Sequence, residues 1–220
     1  MPRAGSSTRS LPSAEAHRRR AGPGPAERKR LLAGLGQPPV EAARFLLGKI
    51  LVRRMGRGAL AARIVETEAY LGEDDPAAHA YGGRRTRRTE PLWGRPGTLY
   101  VYFIYGMHHC LNLAVEREGV PGCVLIRAAE ALGRLEAGSL RGPGRLCRTL
   151  RLDTSDSGRH LFDPASRLTL REGPPPAEIG VSVRVGIRHA ADRPLRFFDT
   201  GSKEVSRDTG RGRLRPWSAR

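Results

Sequence analysis

The chain has 220 residues, 39% hydrophobic and 28% charged, and carries a formal net charge of +17. That length suits one domain with a sizeable core, and no apolar run approaches the roughly 20 residues of a bilayer-spanning helix, so no membrane partner is expected. Three cysteines, Cys110, Cys123 and Cys147, form neither a paired disulfide framework nor a CxxC metal pattern, which points to a reducing compartment.

Residues 1–36 combine Arg, Pro, Gly, Ser and Ala with few large apolar groups, a composition that predicts a disordered basic tail. Residues 207–220 read as a second basic tail, leaving 37–206 as the folded domain. The positive field attracts polyanions without specifying their sequence. Arginine nevertheless dominates over lysine, which occurs only at Lys29, Lys49 and Lys203. Compositional drift accounts for such a skew as well as ligand binding does.

The first predicted element is a helix over 40–47, with Pro39 at its start and Gly48 as its stop. A strand over 50–54 and a Gly56–Gly58 turn lead into a long strand over 60–70. Asp75 before Pro76 has the form of a helix N-cap, a reading preferred over a metal cluster of Glu73, Asp74 and Asp75. An arginine-rich loop over 82–97 follows, then strands over 98–104, 110–115 and 123–128. A helix is expected from 129 to about 140, and another opens near 141–146. The last pair of strands is expected around 181–187, where Val181, Val183, Val185 and Ile187 alternate, and 195–198. Short strands, tight turns and interspersed helices predict an α+β fold: one mixed domain around a mainly antiparallel, curved sheet with surrounding helices.

All five tyrosines fall between Tyr70 and Tyr105. In the strand ending at Tyr70, the alternation of side chains puts Glu66, Glu68 and Tyr70 on one face. Carboxylates in mid-strand persist on a solvated face, in an ion pair or in a working site. Aromatic rings beside a carboxylate, in a cationic protein, suit a pocket that stacks a nucleobase and acts on it, with stacking worth roughly 1–3 kcal/mol per base. Tyr100 and Tyr102 share a face of the next strand, and Tyr105 sits at its end, either folded back as a turn plug or projecting as a wedge. Asn112 is the only asparagine and lies in an apolar strand. Arg127 is the one charge in its own strand and wants Glu66 or Glu68 as a partner. His108, His109 and Cys110 lack a fourth ligand, so no metal is expected.

The segments RIVETEAYLGEDDPAAHAYGG, PGTLYVYFIYGMHHCLNLAV and VLIRAAE, in that order, closely resemble the alkyladenine (methylpurine) DNA glycosylases over residues 38–206. The resemblance implies one mixed α/β domain that bends double-stranded DNA, flips out a damaged purine and hydrolyses its N-glycosidic bond, acting as a monomer without cofactor or metal. It implies Glu68 as the activator of the attacking water, with Arg127 and the carbonyl of Val205 helping to hold that water. Tyr70 would stack on one face of the flipped base, and His79 with Tyr102 on the other. Asn112 would crowd the exocyclic amine of normal guanine. Tyr105 would fill the gap in the duplex, with Arg84, Thr86, Arg88, Met107 and Arg145 contacting DNA. The implied location is cytoplasmic and nucleoid-associated in a bacterium, or nuclear in a eukaryote. A non-catalytic nucleic-acid-binding module remains the alternative reading of the same charge and rings. The position of His109, where an aromatic residue is common, departs from the family pattern.

Overall fold

The computed structural model describes residues 22–56, 58–206 and the backbone of 215–216. Three helices, α1 (Pro25–Leu35), α2 (Pro39–Leu46) and α3 (Pro143–Thr149), surround a nine-stranded antiparallel sheet that curls into a half-barrel. Its strands are β1 (Ile50–Met55), β2 (Gly58–Tyr70), β3 (Leu99–Ile104), β4 (His108–Ala114), β5 (Cys123–Leu132), β6 (Leu168–Arg171), β7 (Ile179–Ser182), β8 (Arg196–Asp199) and β9 (Arg215–Pro216). The main path runs β3-β4-β5-β2-β8-β7-β9, with β1 joining β2 to β6. The expected mixed architecture is therefore the observed one. Among the described residues, no helix is long and apolar enough to cross a membrane.

β2 organises the sheet. Its first half pairs with β1 and its second half, Glu66 to Glu68, with β8, while β5 runs along it throughout. The β2–β5 register slips on either side of Glu66, leaving Val65 without a partner on one strand and Arg127 on the other. Such bulges bend a strand and re-aim its side chains. One face of β2 packs under α2, where the hydroxyl of Thr67 donates to the carbonyl of Ala43 at 2.9 Å. The other face carries the carboxylates.

Three sequence expectations need correction. Helix α1 lies inside the segment 1–36 predicted as disordered. Leu31 and Leu35, four residues apart on one helical face, are fully buried in the main core, and Pro25 starts the helix. Glu27 also takes a two-pronged hydrogen bond from Arg171 of β6 at 2.9 and 3.1 Å, which fastens the helix to the sheet. The rest of that segment, residues 1–21, lies outside the described residues, as do 207–214 and 217–220; β9 shows that part of the C-terminal segment joins the sheet. The helix expected from 129 to 140 is instead the end of β5 followed by turns. There Glu130 lies opposite Arg63 and accepts its guanidinium at 3.2 Å, so cross-strand pairing overrides a helix-compatible composition. Finally, the alternation over 181–187 is strand only to Ser182, after which the chain leaves the sheet.

Because α1 is part of the core, Leu35→Ala should destabilise the protein by about 2–5 kcal/mol in urea denaturation. A change within error of zero would place this helix outside the cooperative unit.

Candidate active site

Four neighbouring strands turn one face toward a single cavity. The register sets Tyr100 beside Asn112, Tyr102 beside Cys110, Asn112 beside Leu125, and Tyr70 beside Cys123. Because side chains alternate, all of these point the same way. The cavity measures about 600 Å³, within the few-hundred to thousand Å³ typical of small-molecule sites. Tyr70, His79, Tyr102, Asn112, Arg127 and Val185 all line it.

Glu68 lies beneath this wall, fully shielded from bulk water. One carboxylate oxygen accepts the N–H of Val185 at 2.8 Å, and the other accepts the hydroxyl of Tyr70 at 3.1 Å. Arg127 approaches Glu68 at 3.4 Å and Glu66 at 3.2 Å, so it pairs with both glutamates. Glu66 is held further by Arg196 at 2.6 Å and by the N–H and hydroxyl of Ser206 at 2.7 and 2.8 Å. Burial pushes the Glu68 carboxyl above its usual range; Arg127 and the Val185 N–H oppose this, and the neighbouring Glu66 charge adds to it. Desolvation is the larger effect, so Arg127 offsets it only in part.

The backbone group that meets Glu68 itself is the N–H of Val185. Val205 does not line the cavity; its neighbour Ser206 donates to Glu66 and accepts from Arg127 at 3.1 Å. No short-range sequence signal links 185 with 68; they lie 117 positions apart, and the loop after β7 brings them together.

The aromatic walls are interlocked. Burial, reinforced by Glu68, raises the Tyr70 phenol well above its ordinary value, so it stays protonated and donates. His79 Nδ1 lies 2.8 Å from the Tyr100 hydroxyl, whose pKa burial pushes up to about 12. The His79 ring meets Tyr102 edge to face at 4.7 Å. Partial burial, then the charges of Arg88 and Arg84, hold its imidazole below the usual range, hence neutral at pH 7. Asn112 is buried, donates to the Tyr100 carbonyl at 3.2 Å, and reaches the cavity.

Around the mouth, the hairpin between β3 and β4 projects outward. Tyr105, at φ 55°, is 76% exposed and Met107 67%, so the ring is not a turn plug. Phe103 and His109 pair beside it, ring centroids 4.9 Å apart. Arg88 lies over the Tyr102 ring at 5.4 Å, and Arg84 and Arg145 are exposed at the rim. The side chain of Thr86 is engaged in its own turn, accepting the Thr89 N–H at 3.3 Å.

Asp75 does not cap a helix. It is buried, accepts the N–H groups of Leu71 and Ala77 at 3.1 Å each, and forms a two-pronged ion pair with buried Arg184. Glu73 and Asp74 are exposed, and among the described residues no group of three His, Cys, Asp or Glu is placed to hold a metal ion. The sequence reading missed Arg184, Val185, Arg196 and Ser206; Arg184 falls in a polar slot of the 181–187 alternation, so nothing local marked it.

Comparison with known proteins fits this arrangement. The sequence profile described as Methylpurine-DNA glycosylase (MPG) matches residues 33–203. The chain belongs to that family. A DNA-3-methyladenine glycosylase of Mus musculus is 44% identical over 198 residues, covering 77% of this chain and 59% of the mouse protein. A relative from Anaeromyxobacter sp. (strain Fw109-5) is 48% identical over 179 residues, 79% of this chain and 90% of its own length. One from Methanocella arvoryzae is 42% identical over 186 residues and matched over 92% of its length. The chain thus spans less than two thirds of the mouse protein but nearly all of the shorter relatives.

The cavity is walled partly by Cys110 and Cys123, and burial raises both thiols, Cys123 to about 12. Since the thiolate is the reactive form, Cys110, Cys123 and Cys147 should resist iodoacetamide at pH 8 in the native protein and react once it is denatured, as read by mass spectrometry. Rapid native labelling of Cys123 would show that its surroundings are open.

Proposed function

We propose that this chain is a monofunctional DNA glycosylase that binds double-stranded DNA as a monomer, flips an alkylated or deaminated purine into the aromatic cavity and hydrolyses its N-glycosidic bond. The observation that carries the reading is Glu68: a shielded carboxylate held by Arg127, Tyr70 and Val185, all of which line a cavity of purine-accommodating size. The activity fits a soluble repair protein at the nucleoid or in the nucleus.

The chemistry follows from the geometry. Extruding a nucleotide costs a few kcal/mol, least for weakly paired damaged bases, which supplies a first level of selection. The exposed Tyr105 ring occupies the vacated space in the duplex, while Met107, Arg84, Arg88 and Arg145 meet the groove and backbone. Thr86 shapes its loop. Inside, Tyr70 stacks on one face of the base and His79 with Tyr102 packs against the other. Purines alkylated at a ring nitrogen are cationic, so they leave readily and are attracted to electron-rich rings. Ionised Glu68 takes a proton from water as that water attacks the sugar carbon. Arg127 stabilises the ionised acid and, with the carbonyl of Val205, helps to hold the water, while the N–H of Val185 orients the carboxylate. Asn112 narrows the cavity where the exocyclic amine of guanine would lie.

The direct test is to incubate the protein with duplexes bearing 3-methyladenine, 7-methylguanine, hypoxanthine or ethenoadenine and assay free base; no release of any of them refutes the proposal. Glu68→Gln should keep lesion binding while slowing release about a hundred- to ten-thousand-fold, the range of general-base catalysis. Unchanged release would remove Glu68 from that role. Tyr105→Ser should weaken binding to lesion duplexes by about 1–3 kcal/mol, one ring's worth of stacking. Equal affinities would mean that the ring stays outside the duplex.

A further inference from the structure

The Tyr70 ring is backed by a cation. The Arg184 guanidinium carbon lies 4.6 Å from the ring centroid, and its side chain is fully buried. Tyr70 lines the cavity and Arg184 does not, so the guanidinium occupies the ring's far side. Left alone, that charge would oppose stacking of a second cation on the cavity side of the same ring. Asp75 prevents this. Its carboxylate grips the guanidinium with both oxygens, one at 2.9 Å, inside the protein.

We propose that the Asp75–Arg184 pair determines specificity: by cancelling the charge behind Tyr70, it lets the cavity accept positively charged purines as well as neutral ones. The proposal rests on the glycosylase reading above and adds a selection rule to it. The pair has a structural side too. Asp75 fixes the turn leading to His79 through the Leu71 and Ala77 N–H groups, and Arg184 donates to the Ala69 carbonyl at 3.0 Å. The next residue, Val185, holds Glu68. Structural damage would weaken all substrates alike, whereas charge imbalance separates cationic from neutral bases. An uncompensated charge about 8 Å from a stacked cationic base weakens its binding roughly thirtyfold at an effective dielectric of 20.

The experiment measures binding rather than turnover, because positive charge moves from base to sugar as the bond breaks. In a Glu68→Gln background, affinities are measured for otherwise identical duplexes carrying 7-methylguanine, a cation, or ethenoadenine, a neutral base. Adding Asp75→Asn should lower the 7-methylguanine to ethenoadenine affinity ratio by about tenfold or more. Arg184→Gln, which leaves the anion, should raise that ratio. Each ratio comes from one preparation, so a reduced folded fraction cancels, and either variant suffices if the other does not fold. An unchanged ratio, or shifts of the same sign in both variants, overturns the proposal. If the Glu68→Gln protein binds neither lesion better than undamaged DNA, the glycosylase reading itself has failed.

Discussion

Two carboxylates on one face of β2, both withdrawn from water, are the constraint around which the rest of the molecule is arranged. An uncompensated charge in an interior costs several kcal/mol, so each glutamate must be met by donors and cations. Glu66 is met by Arg196 and by both donors of Ser206; Arg127 bridges to Glu68, which also accepts from Val185 and Tyr70. These partners come from β5, β8, the loop after β7 and the segment after β8. Satisfying the pair therefore draws remote parts of the chain to one place. The slip in register at Glu66 lets Arg127 reach both acids.

The same arrangement divides labour between the two sides of the sheet. Thr67 and its neighbours face α2 and the apolar core, where they carry stability. The opposite face carries rings, an amide, thiols and ionisable groups, most of them buried; Tyr70, Tyr100, Tyr102 and Cys123 pack there with Leu92 and Trp93 and line the cavity. Outside this interior, the hairpin tip with Tyr105 and Met107 and the arginines at the rim are exposed, and in the proposed function they are the surface that meets the nucleic acid. A buried site with a projecting ring at its mouth suits an enzyme that must take its target out of a stack.

Much of this was legible in the sequence because it is local. Alternation in β2 and β3 put Glu66, Glu68 and Tyr70, then Tyr100 and Tyr102, on shared faces, and the confinement of tyrosine to one segment marked the site. The family resemblance over residues 38–206 added the order of the motifs. What escaped was either masked by composition or set by distance along the chain. Leu31 and Leu35 are few enough among arginine, alanine and glycine to look like a tail, yet suffice to anchor a helix once a core is present. Asp75 before Pro76 has the local form of a cap, but Arg184, 109 positions away, claims its carboxylate. The contact of Val185 with Glu68 escaped for the same reason: the loop after β7 makes it, and no periodicity records loops.

The central claim is that Glu68 acts as an ionised base although burial raises its pKa above the ordinary 4.5. A raised carboxyl pKa keeps the inactive, protonated form present to higher pH, so activity should grow as pH rises through that value. The decisive measurement is the single-turnover rate of 7-methylguanine release against pH. The expected result is an acid limb of unit slope centred above 4.5, lost in Glu68→Gln. A rate independent of pH through that region, or the same limb persisting in residual activity of Glu68→Gln, would contradict the account.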